Sequence, residues 1–267
     1  MENSSLNHTE NHKTEEKETK RTPIKQRKKE NEVLRFIREH IRYFAAGALV
    51  VVLILVLAMC AKPKGSDSDV VVNANATEST QATEEAYQVD AYENINTLIT
   101  QYYTAYAAGD ITTLSSIATP ISANEQSYIG LFSQYVDEYQ NIKCYTKTGL
   151  DANSYLVSVS MEIKFTGVDT TAPGLDFFYV RTNDDGTLYI DNLYSQYNLA
   201  NQENALDTSV QSLISQFESE SDVVELQSEV QTRYDEALAA DENLANMIQT
   251  TIPAAIKDWV SQVAAQA

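Results

Sequence analysis

The side chains able to do chemistry are spread unevenly along these 267 residues, and their placement excludes more than it offers. All three histidines, His8, His12 and His40, precede a long apolar run; the only thiols are Cys60, inside that run, and Cys144. Nucleophilic catalysis of the Ser-His-Asp or Cys-His kind needs an imidazole beside the nucleophile to take its proton. Zinc sites likewise gather cysteines and histidines around one ion. After the run the chain holds one cysteine and no histidine. Neither chemistry is expected there, no metal or cofactor is implied, and no internal disulfide can form. Cys144 sits among strand-type residues and reads as a small buried hydrophobe. Carboxylate and tyrosine chemistry remain, as does binding without chemistry.

The run itself, Phe44 to Ala61 (FAAGALVVVLILVLAMCA), sets where such chemistry would take place. As a helix it spans about 27 Å at about 1.5 Å per residue, close to the roughly 30 Å hydrocarbon core of a bilayer. One membrane crossing over 44–61 is expected, with Tyr43 at the interface and Phe44, Leu53 and Leu57 within the anchor. Residues 1–43 carry eleven of the nineteen basic residues, and the positive-inside rule then places that tail in the cytoplasm and the C-terminal portion outside. Two other readings compete. A cleaved signal peptide would have a shorter basic lead and small residues before the cut, where Met59, Cys60 and Ala61 stand. Leu57–Ala58–Met59–Cys60 is similar to a bacterial lipobox, with Met59 where a small residue is expected. Either alternative leaves the same portion outside the cytoplasm.

Charge narrows the partners. Eight acidic residues also fall in 1–43, so 44–267 keeps eight basic against thirty acidic residues, a net of −22. Binding nucleic acid needs a basic footprint, so no nucleic-acid partner is expected for the exported portion.

Organisation follows from composition and period. Residues 1–32 are too polar to bury a core and are expected to be disordered; 33–43 extend the membrane helix into the headgroups. Residues 62–86 are small, polar and aperiodic, a flexible linker. A domain is expected over 87–198. Ile95, Leu98, Ile99, Tyr102 and Tyr106 mark one face of a helix that stops at Gly109, and Asp110 caps a short second helix. A third helix is expected over about 123–140. From Asn141 the period changes to two, with Tyr155, Val157, Val159, Met161, Ile163 and Phe165 alternating against polar residues as a half-buried strand. Strands over Asn141–Leu150, Asp176–Thr182 and Thr187–Tyr194 complete four, the last two joined by a hairpin at Asp185–Gly186. Three helices followed by four antiparallel strands predict an α+β domain, its curved sheet wrapped around the helices.

The stretch Tyr102 to Leu114 (YYTAYAAGDITTL) resembles the opening of nuclear-transport-factor-2-like domains, which share a cystatin-like α+β fold. Val168 to Leu175 (VDTTAPGL), with the Asp-Asp-Gly hairpin, is similar to membrane-anchored envelope proteins of clostridia-type bacteria. The first resemblance implies a cone-shaped cavity between helices and sheet, used by some members for catalysis and by many for binding or assembly. Ketosteroid isomerase-like members pair an aspartate base with a tyrosine and a second acid as oxyanion donors. The corresponding candidates here are Tyr102, Tyr103, Tyr106, Asp176, Tyr179 and Asp191. None stands in a motif that marks it as catalytic, and tyrosines that fill the cone with their hydroxyls toward its mouth are the simpler expectation.

Residues 199–267 return to helical spacing. Leu206, Val210, Leu213, Ile214 and Phe217 form one stripe. Asp222 and Glu225 read as a capping box for the next helix, and Ile256, Trp259, Val260 and Val263 mark a last helix after Pro253. These helices are expected to lie against the first domain; the sharper alternative is a partner-binding arm anchored by Trp259. The expected function is a non-enzymatic extracytoplasmic binding protein of the bacterial envelope that recognises a protein, peptide or wall component. The alternatives are an assembly scaffold of a conjugation or type IV secretion-like machine, which is similar in its order of tail, span and domain, and a small-molecule enzyme using the cone.

Overall fold

A computed structural model of the chain describes residues 85–266. The basic tail, the apolar run with Tyr43, Phe44, Leu53 and Leu57, and the linker before Glu85 lie outside the described residues. Among the described residues no helix is long and apolar enough to cross a membrane.

The architecture is α+β. Strand β1 (Gln88–Val89) leads into α1 (Glu93–Ala108), α2 (Ile111–Ile117), β2 (Ala118–Thr119) and α3 (Ala123–Phe132). Helix α1 buries Ile95, Leu98, Ile99 and Tyr102 of its expected face and, beyond that face, Tyr103, while Tyr106 is only half-buried. It ends where Gly109 takes the left-handed conformation, φ 64°, and donates its amide to the carbonyls of Ala105 and Tyr106. Glycine adopts that backbone without a Cβ penalty. Asp110 then accepts the amide of Thr113 at 3.1 Å and starts α2.

Helix α3 is shorter than its sequence pattern suggests. It stops at Phe132, and Tyr135, Val136 and Tyr139 belong to the approach and start of β3 (Val136–Thr148) instead of a helix running to 140. Aromatic and β-branched residues at these positions satisfy helical spacing and strand alternation alike over so short a window. Strands β4 (Ser154–Phe165), β5 (Ala172–Thr182) and β6 (Leu188–Asp191) follow. The β5–β6 hairpin turns at Gly186, φ 86°, as Asp185–Gly186 predicts.

The expected four-stranded antiparallel sheet is in fact six-stranded and mixed, in the order β1-β3-β4-β5-β6-β2, with β2 parallel to β6. The two additional strands have two residues each, too few to show a period. Strand β5 also begins four residues before Asp176. Pro173 and Gly174 argue against a strand in sequence, but β6 pairs only with Val180–Thr182 of β5. Pro173 therefore lies on a stretch hydrogen-bonded to β4 alone, where a missing amide is tolerated.

The remaining chain forms a 3₁₀ turn (Asn192–Tyr194), α4 (Gln196–Asn201), α5 (Thr208–Phe217), α6 (Ser221–Ala240) and α7 (Glu242–Asn246). It then runs through a π turn (Met247–Thr251) into α8 (Ile252–Gln266). The π turn ends two residues before Pro253, whose ring cannot supply the amide that an unbroken helix needs there. Asp222 does not cap α6; Glu220 holds that position and makes no side-chain cap. The Asp222 carboxylate accepts instead from Lys147 Nζ at 2.7 Å and from the Tyr87 amide at 3.3 Å.

Two apolar layers result. Val157, Val159, Met161 and Phe165 of β4, with Phe178 and Val180 of β5, face α1 and α3. The same core takes in Tyr234, Leu244, Ile248, Ile252, Ile256 and Trp259, so it crosses the boundary expected at residue 198. On the other face Leu156 and Tyr179 pack with Tyr194, Val210, Ile214 and Phe217. Strand β4 is accordingly buried on both faces over Leu156–Val159, where the C-terminal helices supply the second cover, and keeps the expected half-buried alternation from Ser160 onward.

Candidate functional site

Helix α1 carries three tyrosines toward the sheet. Ring centroids stand 5.6 Å apart for Tyr102–Tyr103, 5.7 Å for Tyr102–Tyr106 and 4.6 Å for Tyr103–Tyr139. Phe178 of β5 meets Tyr102 edge-on at 5.0 Å, and Phe132 closes on Tyr106 at 6.2 Å. Edge-to-face contacts of this kind add about 0.5–1.5 kcal/mol each beyond burial. Successive residues of β5 point to opposite faces, which brings Asp176 to the same side as Phe178. The Tyr103 hydroxyl donates to Asp176 Oδ2 at 3.3 Å, and the Phe177 amide donates to Oδ1 at 2.9 Å. Burial raises the Asp176 carboxyl to about 6, with both hydrogen bonds acting against the rise. Burial, then the negative charge of Asp176, holds the hydroxyls of Tyr102 and Tyr103 well above the ordinary phenol range.

Four of the six expected cavity residues, Tyr102, Tyr103, Tyr106 and Asp176, thus come together. Tyr179 does not join them. Being odd-numbered on β5 it faces the opposite layer, with its ring 5.2 Å from Tyr194. Asp191 is also apart: it is buried at the end of β6, 3.6 Å from Arg181 Nη1, and its carboxyl is raised by burial. Trp259 is turned inward, 8 % exposed, donating Nε1–H to Ser127 Oγ at 2.9 Å with its ring 5.6 Å from Tyr128. Its large apolar surface anchors α8 to α3 within the chain.

A second acid, absent from the sequence-based expectation, lies beneath the cluster. Glu125 is 7 % exposed, and Asn192 Nδ2 donates to both of its carboxylate oxygens at 2.9 Å. Burial pushes its carboxyl up to about 7, against the hydrogen bond from Asn192. The charge of Glu125 also raises Tyr102, Tyr106 and Tyr197, after burial. Ser122 and Glu125 form an S-x-x-E pattern, and Ser122 Oγ does accept the Glu125 amide at 3.1 Å. The pattern signals the helix start; nothing local signals that the carboxylate is carried inward to Asn192, which lies 67 residues on. Cys144 is 1 % exposed, and burial pushes its thiol up to about 12, which keeps it unreactive.

The arrangement offers two carboxyl groups titrating near neutrality among phenolic donors, the ingredients of proton transfer. It offers no group of three His, Cys, Asp or Glu placed to hold a metal among the described residues. Compared with family models, with curated proteins and with solved structures, the chain matches none.

Proposed function

We propose that the chain is a single-pass, membrane-tethered protein whose nuclear-transport-factor-2-like domain binds an envelope protein, peptide or wall component without catalysing a reaction. The observation that carries this reading is the filling of the space between α1 and the sheet by mutually contacting rings of Tyr102, Tyr103, Tyr106, Tyr139, Phe132 and Phe178. A substrate would have to displace that packing. The apolar run and the acidic portion after it support the topology. Affinity capture from detergent-solubilised envelopes tests the reading: a specific partner retained by the wild type supports it. Co-purifying secretion subunits would favour an assembly scaffold instead. Protease added to intact cells should trim the domain; protection until lysis would overturn the topology.

An enzyme reading has one observation in its favour, since strongly shifted carboxyls such as Asp176 and Glu125 cluster at catalytic sites. Asp176→Asn separates the two. Binding of the captured partner should survive it, whereas loss of a turnover seen in the wild type would establish catalysis.

A further inference from the structure

A cleft of about 230 Å³ opens between β3, β4 and α6, lined by Asn141, Lys143, Ser160, Glu162, Glu229 and Arg233 among others. It lies away from the aromatic cluster, on the sheet face that carries Ser160 and Glu162. Its rim is built by a β-bulge: Gln140 pairs with Glu162 and Lys143 with Ser160, so Asn141 and Ile142 together oppose Met161 alone. Asn141 takes up the distortion at φ 51°, a left-handed backbone that asparagine tolerates better than most residues. Bulges of this kind re-aim neighbouring side chains and recur beside binding sites.

The charges in the cleft are unequally used. Arg233 is paired with Glu162, which also accepts from Thr171 Oγ1 at 3.0 Å. Glu229 stands four residues before Arg233 on α6, the favourable spacing for a helical ion pair, yet Arg233 reaches across to the sheet. The side chains of Glu229 and Lys143 are exposed and have no hydrogen-bond or ion-pair partner among the described residues. One unpaired carboxylate and one unpaired ammonium therefore share a cleft with a satisfied Arg–Glu pair.

We propose that this cleft binds a small zwitterion, a free α-amino acid or short peptide whose carboxylate meets Lys143 and whose ammonium meets Glu229. The proposal rests on the binding reading above and names a ligand class for it. Charge selects among the alternatives. A simple anion would satisfy Lys143 and be repelled by Glu229 within a strongly acidic domain. A simple cation would reverse the conflict, and a neutral ligand would engage neither charge. Size agrees, since 230 Å³ falls below the roughly 300–1,000 Å³ of drug-sized pockets.

Saturation-transfer NMR on the full chain in detergent micelles, with L-alanyl-L-alanine as the probe, tests the proposal. The dipeptide should give a saturable signal that free alanine competes away. N-acetyl-alanyl-alanine amide, which lacks both charges, should give none. Lys143→Gln and Glu229→Gln should each weaken binding about tenfold, equivalent to about 1.4 kcal/mol, with unchanged melting temperatures, because both side chains are exposed. Absence of a saturable dipeptide signal, equal binding of the capped compound, or full affinity in both variants would overturn it. A protein captured from envelopes by a chain that fails the dipeptide test would leave the binding reading standing and remove this ligand class. Failure of the topology test with dipeptide binding intact would remove the membrane topology and leave this ligand class standing.

Discussion

Replacing Lys147 by methionine would remove one charge and almost no volume. The Lys147 ammonium lies 2.5 Å from Glu220 Oε2 and 2.7 Å from Asp222 Oδ1, and its side chain is 3 % exposed. It also sits 4.7 Å from the centroid of the Tyr87 ring. One residue thus links three segments: the chain's entry at Tyr87, strand β3 and the start of α6. Burial works against the charge, but the hydrogen bonds to Asp222 and Glu220 prevail and hold the ammonium above its ordinary range. Removing one partner of a buried pair costs about 3–5 kcal/mol because the other charge is left stranded. Glu220 and Asp222 are 18 % and 33 % exposed and can regain water, which places Lys147→Met at the lower end. A loss of about 3 kcal/mol in a domain of this size lowers the melting temperature by roughly 6–12 °C. Thermal unfolding of the full chain in micelles, followed by near-ultraviolet tyrosine dichroism, measures it. Adding Glu220→Gln and Asp222→Asn to the same chain should restore part of the loss, since no orphan acid then remains. An unchanged melting temperature for Lys147→Met would show that the clasp contributes nothing and that α6 docks by apolar contact alone.

Glu125→Gln should alter the pH profile of stability. The Glu125 carboxyl rises from 4.5 to about 7 on folding, so a proton is taken up between those values. Its contribution is complete below about pH 4.5 and is lost as pH climbs through about 7. Glutamine stays neutral, so the variant's melting temperature should gain on the wild type above that range and match it below; parallel profiles would refute the assignment. Tyr103→Phe removes a donor to Asp176 and should raise that carboxyl above its value of about 6, read by carboxyl-carbon NMR titration, while costing about 0.5–1.5 kcal/mol of stability. Gly174→Ala would place a Cβ 2.5 Å from Met161 Sδ. It should destabilise by about 1–3 kcal/mol in a melting assay, and Met161→Val in the same chain should relieve it.

The fold was legible wherever a period ran long enough. Helix α1 with its Gly109 stop, the Asp110 cap, strand β4 and the Asp-Gly hairpin all follow from local residues that agree with one another. Beyond those, local signals conflicted with tertiary ones. Tyr135, Val136 and Tyr139 fit a helix as well as a strand, and Pro173–Gly174 concealed the start of β5. Asp222 and Glu225 read as a capping box, but Lys147, far away in sequence, takes Asp222 for itself. The aromatic cluster was half visible: Tyr102 and Tyr106 could be placed from their spacing, Tyr103 only through the family resemblance, and strand parity on β5 separates Tyr179 from Asp176. Glu125 could not be placed that way, because its partner Asn192 is distant in sequence and a capping-box glutamate is ordinarily exposed.

The polar side of β4 shows why alternation misjudged this sheet. Residues Ser158, Ser160, Glu162 and Lys164 suggest a face turned to water. Ser158 is nevertheless 4 % exposed, with its hydroxyl 2.8 Å from that of Tyr87. Glu162 is engaged by Arg233 and Thr171, and Lys147 on the neighbouring strand is engaged by the first turn of α6 and the residue before it. The helical layer over this face is therefore fixed by matched polar partners around a small apolar patch of Leu156, Tyr179, Phe217 and Val223. Apolar contact supplies most of the driving force for such docking but little of its register. Misplacing the buried Lys147 ammonium costs more than misplacing a methyl group, so its pairs with Glu220 and Asp222 fix where α6 begins. Polar residues alternating along a strand consequently do not distinguish a wet face from one covered by helices that bring the complementary charges. Only the partner segment, some seventy residues later in the chain, carries that information.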